Sequence, residues 1–483
     1  MKKIGFLLTM SLALCLWLPP RASSFPRGRA NLAERIDALL GKPGLQRVQF
    51  SACVISAESG EVLYQKNPHA ALIPASNMKI VTSAAALETL GPDFAFITRV
   101  GLCDGALVVI GSGDPLLGDK ENGLRAGKSQ VPVIREIVLR LKSRGVESVS
   151  DILLDTSVFD EQRVHPGWPV EQLHQKYACE LSGLNYNGNC VDITAVNEGG
   201  RVALFLDPAT PYVNLVNAVK AGTRRKNWFS VARTDVPNRF LIQGVCGVKA
   251  GPYSVAVENP AVFFGCLLRA SLQAAGIRVK GEVLERPRPR NSRFLPLVEF
   301  RTGITECLDR INKDSYGLPA EALLKTLSAR ARPEGRSGSW PSGRDVLGEY
   351  VSGLGVPRDE FKIADGSGLC RDNRLSANAL VTVLFHLASG PHWELFKSSL
   401  AVGGIEGTIE NHFWETKYRG RVQAKSGYIH AVRALSGVVR TDSGDLIFSF
   451  LTNKAGNGAR AAIYGAVKAL ADWGSKARPG GRS

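Results

Sequence analysis

The sequence predicts an α/β (α+β) sandwich whose main sheet draws strands from both ends of the chain, with a large β-rich insert between them. Three observations carry this. A hairpin pattern followed by an apolar helix begins at Val48. Short β-prone runs bounded by turn residues fill residues 96–285. Helices, a strand, a second hairpin and a closing helix complete the chain. At 483 residues the chain exceeds one ordinary core. We therefore expect a leader at 1–24, a discontinuous main unit from 25–95 and 296–476, one or two inserted β-rich domains at 96–295, and a basic tail at 477–483.

Lys2 and Lys3 precede an uncharged run from Ile4 to Leu18, which Pro19-Pro20 ends and the small residues Ala22-Ser23-Ser24 follow. This pattern reads as a secretory signal peptide, too short for a spanning helix, so the protein is expected to be exported to the periplasm or the wider extracytoplasmic envelope. Val48–Ser56 and Val62–Tyr64 flank the turn residues Glu58-Ser59-Gly60, a hairpin. Pro74 then opens a helix to Leu90, closed by Gly91-Pro92, with Ile80, Ala84 and Leu87 on one face. In the insert, Leu107–Ile110, Ser150–Leu154, Val202–Leu206 and Phe240–Val245 read as strands of a region rich in antiparallel sheet, and Pro260–Ala275 as a helix. A linker rich in proline and arginine follows. Helices are expected at Ile304–Lys313, Ala320–Ser328, Arg344–Leu354 and Ser376–Ala388. A strand at Arg421–Lys425, a hairpin of Ala434–Arg440 with Leu446–Leu451, and a helix at Ala459–Trp473 end the chain.

A hydrophobic content of 44% is that of a globular chain. The formal charge of +16 becomes +13 once Lys2, Lys3 and Arg21 leave with the leader. Such an excess favours polyanionic surroundings. Export argues against nucleic acid and leaves peripheral contact with a cell-wall polymer or a membrane surface. The basic residues are scattered, with small clusters at Arg224-Arg225-Lys226 and Arg286–Arg293, and a solvated surface is the plainer reading. Removing Cys15 leaves eight cysteines, which allow 105 pairings. Cys179 and Cys190 flank a loop and are expected to form a bridge; Cys266 reads as a buried thiol. There is no Cys-x-x-Cys, no metal-ligand histidine spacing, no Gly-x-Ser-x-Gly elbow and no phosphate loop, so neither metal nor cofactor is expected.

Three stretches carry chemistry: Ser76-Asn77-Met78-Lys79, Ser315-Tyr316-Gly317 and Lys425-Ser426-Gly427. Three residues apart at a helix start, Ser76 and Lys79 share a face. A lysine amine can take a serine's proton only when it is neutral, and burial or a nearby cation such as Lys425 lowers its pKa from about 10.4. Ser76 would then attack a carbonyl. Backbone N–H groups of Ser76 and Tyr428 would hold the oxyanion, each worth roughly 3–4 kcal/mol. Ser315 could relay a proton to the leaving amine, Lys425 and Ser426 could meet a substrate carboxylate, and Gly427 would let substrate lie along the strand edge. A lone Ser-x-x-Lys arises by chance in a chain this long, and Ser76 alone is as readily a helix cap. The order and setting of all three stretches carry the weight.

With these residues in view, the chain resembles the class C low-molecular-mass penicillin-binding proteins, the D-alanyl-D-alanine carboxypeptidase/endopeptidase family, from about Val48 to Trp473. Pro74–Lys79 resembles the family's nucleophile segment, Asn312–Ser315 with Ala320–Leu324 its second motif, and Asp365–Leu369, Arg371–Asn373 and Gly407-Thr408 further family blocks. The 239 residues between Ser76 and Ser315 suit the family's large insert. The resemblance implies a β-lactamase/transpeptidase-like fold. It also implies cleavage of the D-Ala-D-Ala bond, or of D-Ala–diaminopimelate cross-links, in peptidoglycan stem peptides, with β-lactams as covalent inhibitors. Asp155 and Phe159 match a family segment that reaches the diaminopimelate side chain; their plainer readings are a strand-end aspartate and a core phenylalanine. Two departures stand out. Ser426 replaces threonine and keeps the hydroxyl. Gly317 replaces an asparagine, and losing that amide should cost about 1–3 kcal/mol of hydrogen bonding. A catalytically weakened peptidoglycan-binding protein and an esterase on the same fold are therefore the other two readings.

Overall fold

Two hairpins from opposite ends of the chain join in one antiparallel sheet. In this computed structural model, which describes residues 27–125, 132–223, 227–289, 292–331, 337–456 and 458–474, the spatial order is Ala401–Val402, Val422–Ile429, Val432–Thr441, Gly444–Asn453, Gln49–Ser56 and Val62–Lys66. The seam between the two chain ends pairs Gln49 with Asn453 through to Ser56 with Leu446. The expected leader, the Arg224-Arg225-Lys226 cluster, positions 290 and 291 of the second basic cluster, and the tail lie outside the described residues.

The central strands are largely apolar because both faces of the sheet are covered. Phe50, Ala52 and Val54 face a layer made by the helices Arg27–Leu40 and Ala459–Ala471, together with Phe448 and Phe450. The alternate residues Cys53 and Ile55, with Ile447 and Leu451, face the helical layer on the other side. At its centre lies the helix Met78–Leu90, whose first ten residues are all buried. Helices Gly317–Ala331 and Ala377–Ala388 pack against it. A helix apolar on every side belongs in such a position.

The insert is rich in antiparallel sheet, as expected, but also contains parallel pairs. Five strands lie in the order Val283–Glu285, Ile152–Asp155, Ala106–Ile110, Ala95–Cys103 and Leu295–Gly303. Ile152–Asp155 pairs in parallel with both of its neighbours. Parallel neighbours need a crossover, and the helix Val133–Ser143 supplies it, burying Val133, Ile134, Ile137, Val138 and Leu141. That spacing of three and four was legible, but the β-prone texture around it hid the helix. Leu295–Gly303 is a strand paired with Ala95–Cys103, so the insert's sheet runs to residue 303 rather than ending at 295. Two three-stranded sheets, centred on Cys190–Glu198 and Arg239–Cys246, and a two-stranded one of Ser148–Val149 with Arg278–Val279 complete the insert.

The expected Cys179–Cys190 bridge is absent: both are buried free thiols, as are most of the other described cysteines, while Cys266 is half-buried. Cys179 and Cys190 pack in the main apolar cluster as small hydrophobes. Burial pushes the Cys179 thiol up to about 12 and that of Cys190 well above its usual range.

One glycine sets the floor beneath the turn that carries Ser76. Gly368 has φ +81°, and a Cβ there would lie 1.8 Å from the carbonyl oxygen of Ala75. Overpacking costs about 1–3 kcal/mol and a left-handed non-glycine about 1–2 kcal/mol. Gly368→Ala should therefore lose about 2–5 kcal/mol of stability, read by urea denaturation.

Candidate active site

Ser76 lies in a single 3-10 turn, Ala75–Asn77, that leads straight into the helix carrying Lys79. Ala75 adopts a left-handed φ of 47°, local strain of the kind found at functional sites. The Lys79 Nζ lies 3.2 Å from Ser76 Oγ and donates to the carbonyl oxygen of Ser367 at 2.6 Å. Lys79 is 3% exposed. Burial lowers its pKa from 10.5 to about 8, against the opposing pull of the Asp365 and Glu321 carboxylates.

Those two carboxylates build the loop that faces Lys79. Glu321 accepts from the N–H groups of Gly366 at 3.0 Å and Ser367 at 2.7 Å, and from Trp340 Nε1 at 2.8 Å. Asp365 accepts from the N–H groups of Gly368 and Cys370, from Trp168 Nε1 and from Asn373 Nδ2. Burial, with Asp365 adding to it, raises the Glu321 carboxyl to about 7. Sequence reading noted both segments as family blocks but gave these carboxylates no role, since each is far from Lys79 along the chain. Glu321→Gln removes a charge that raises the Lys79 pKa. The Lys79 pKa should fall further, and the rising limb of an acylation pH profile should shift to lower pH.

Ser315 sits on the turn between the helices Ile304–Asn312 and Gly317–Ala331, with φ +61°. The turn is tied to the insert: Tyr316 donates its hydroxyl hydrogen to Gly188 O at 3.2 Å, and the buried Arg310 pairs with Asp119, Glu121 and Asp314. Gly317 opens its helix with the carbonyl of Tyr177 close by. A Cβ on Gly317 would stand 3.1 Å from that oxygen and 3.7 Å from Ser367 Cβ. An insert segment thus crowds the place where the family's asparagine side chain would start, and Ser367 O supplies an acceptor to Lys79.

Lys425 is not at a strand end. It lies within Val422–Ile429, fully buried, and donates to Ser426 O at 2.8 Å. Burial, then the nearby Lys79, holds its pKa well below the usual lysine range, with Asp314 opposing. It lines neither part of the cleft, so it is not placed to touch a substrate carboxylate. Ser426 does reach the cleft, its hydroxyl bonded to Thr408 Oγ1 at 2.7 Å. Gly427 lets the strand close on the turn that carries Ser76: a Cβ there would lie 2.9 Å from Pro74 O. Tyr428, 61% exposed, stands on the rim.

Asp155 and Phe159 are not in the cleft. Asp155 accepts from Ser157 N and Oγ and from Arg288 N, closing the end of its strand. Phe159 is buried against Gly113 and Lys325. Both take their plainer readings, because local hydrogen bonding and apolar packing already satisfy them.

The cleft has two parts that meet at Ser76, Ser315 and Tyr428. The larger, about 760 Å³, runs between Arg371 and the insert residues Trp168 and Tyr177. The smaller, about 270 Å³, lies beyond them toward Arg433 and Arg460. A hydroxyl beside a buried amine of lowered pKa, at the junction of two subsites, is equipped for acyl transfer.

Comparison with known proteins agrees with this geometry. A family model described as the D-Ala-D-Ala carboxypeptidase 3 (S13) family matches residues 32–473. The D-alanyl-D-alanine carboxypeptidase of Actinomadura sp. (strain R39) is 30% identical over 477 residues, covering 93% of this chain and 86% of that protein. The D-alanyl-D-alanine carboxypeptidase DacB of Haemophilus influenzae is 23% identical over 406 residues, covering 80% of this chain and 81% of that protein. The crystal structure of penicillin binding protein 4 (dacB) from Haemophilus influenzae superposes with a TM-score of 0.73 at 21% identity, covering 92% of this chain and 98% of that one. This likeness shows a shared fold, the mixed helix-and-sheet architecture expected from the sequence.

Proposed function

The chain belongs to the D-Ala-D-Ala carboxypeptidase 3 (S13) family, and from that premise we propose a penicillin-sensitive serine peptidase that forms an acyl-enzyme on Ser76 and acts on peptidoglycan stem peptides outside the cytoplasm. One observation carries the mechanism: a buried Lys79 amine 3.2 Å from the Ser76 hydroxyl, with its pKa lowered to about 8. Near neutral pH part of the lysine is unprotonated and can take the serine proton as Ser76 Oγ attacks the scissile D-Ala carbonyl. The N–H groups of Ser76 and Tyr428 would face the oxyanion. The proton held on Lys79 then passes to the leaving amine, and the C–N bond breaks. Water hydrolyses the resulting ester by the reverse proton path. A β-lactam amide would acylate the same oxygen, and in that case no amine departs.

Gly317 favoured a binding protein without catalysis. The 2.6 Å contact between Lys79 and Ser367 O supports the enzymatic reading, because the amine keeps an acceptor without the asparagine. The test is release of free D-alanine from a diaminopimelate-containing pentapeptide, alongside fluorescent-penicillin labelling. We expect both. Labelling without release would favour the esterase reading, and neither would favour the binding protein.

A further inference from the structure

One sheet of the insert keeps a face that the acylation mechanism does not use. The strands Trp228–Arg233, Arg239–Cys246 and Asn214–Ala221 lie side by side in that order. Phe229, Val231, Phe240 and Ile242 pack inward, and strand alternation turns the residues between them outward. On the outer face Trp228 is 55% exposed, with Val245 opposite it and Lys220 one strand further on. Ser230 lies opposite Gln243, and Arg239 opposite Asn214. Their polar side chains make no hydrogen bond or ion pair with a described residue, and the three strands contain no acidic residue. Small and aliphatic residues lie between them, so apolar surface alternates with free donors.

The face adjoins the cleft. At the end of its strand, Arg233 donates to Leu173 O at 2.9 Å. Leu173 follows Glu171 and Gln172, which line the larger part of the cleft. From that wall the strand runs outward to Trp228, about 17 Å over its six residues. An extended peptide of five residues spans about the same distance. An exposed indole among amides, a hydroxyl and two cations suits a sugar polymer: the ring covers the apolar side of a pyranose, the amides meet N-acetyl groups and the cations meet carboxylates. A lipid surface fits less well, because Trp228 is the only large exposed apolar side chain of the face.

We propose that this face binds the glycan strand of peptidoglycan, a carboxylate-bearing polymer of N-acetylated amino sugars, while a stem peptide attached to that strand enters the cleft. The proposal deepens the peptidase reading and rests on it for the larger part of the cleft as the acyl side.

The probe is a peptide-stripped glycan strand, whose lactyl groups end in free carboxylates, titrated by calorimetry into the Ser76→Ala protein. It should bind, and Trp228→Ala should weaken binding by about tenfold or more, the scale of an interface hot spot. Trp228→Phe keeps a ring and should restore part of the loss. Lys220→Gln with Arg239→Gln should weaken binding less and flatten its salt dependence. These side chains are exposed, so melting temperatures should stay within about 2 °C. Strands that do not bind, or bind equally well to Trp228→Ala, would overturn the proposal. So would binding to phosphatidylglycerol–phosphatidylcholine vesicles that Trp228→Ala abolishes while glycan binding is unmoved, which would assign the face to a membrane. With Ser76 intact, Trp228→Ala should lower D-alanine release from whole sacculi more than from the free pentapeptide; equal losses would count against strand binding. The titration needs no catalysis, so it decides this face even if the peptidase reading fails. A failed titration leaves the acyl-enzyme on Ser76 to its own penicillin test.

Discussion

Ser76→Ala should leave a folded protein that carries no covalent penicillin at all. In the proposed mechanism the hydroxyl is the attacking atom, and its one side-chain hydrogen bond among the described residues is to Lys79. Alanine keeps the Cβ, and with it the packing of a half-buried turn, so stability should change by no more than about 1.5 kcal/mol. Ser315 lies at the same junction, but no described lysine is within hydrogen-bond reach of its hydroxyl, so it does not inherit the role. Fluorescent-penicillin labelling should drop to background and D-alanine release should cease, with the melting curve almost unmoved. Stoichiometric label on the variant would mean that another residue is the nucleophile.

Lys79→Met should slow acylation by about 10²–10⁴-fold, the range lost with a positioned general base. Its second signature is the pH profile. In the native protein the rate should rise about tenfold per pH unit below the Lys79 pKa of about 8, as the amine loses its proton, and level off above it. Methionine has no proton to lose, so this limb should vanish from the variant. The substitution deprives Ser367 O of its donor, a cost of about 1–3 kcal/mol. It also removes an ammonium whose burial opposed folding. Stopped-flow acylation between pH 6 and 9.5, with urea denaturation beside it, separates lost catalysis from lost fold. A variant that keeps the native pH limb would remove Lys79 from the role of base.

Much of this architecture was legible because its causes are local. An apolar, β-prone run and a turn signal marked the hairpin of Gln49–Ser56 and Val62–Lys66, and proline and glycine bracketed the helix that carries Lys79. Serine and lysine three apart at a helix start must share a face, whatever surrounds them. What stayed hidden is what a distant partner decides. The strand Ile152–Asp155 is parallel to its neighbours because a helix 10–20 residues earlier crosses the sheet. Cys179 and Cys190 remain thiols in an apolar cluster. Asp155 and Phe159 face inward because Arg288, Gly113 and Lys325 are there to receive them.

Residue order by itself picked out the candidate nucleophile, the lysine beside it and the sheet shared between the chain's two ends, because backbone periodicity and turn chemistry act over a few residues. Only the tertiary structure decided how that lysine is kept partly neutral, since desolvation depends on everything packed around it, and the loop facing it is braced by Glu321 and Asp365 from elsewhere in the chain. The same holds for Lys425 and Arg433. Both are basic residues on neighbouring strands, but one is sealed beneath the floor and the other reaches the cleft, a difference made by the layers above and below the sheet.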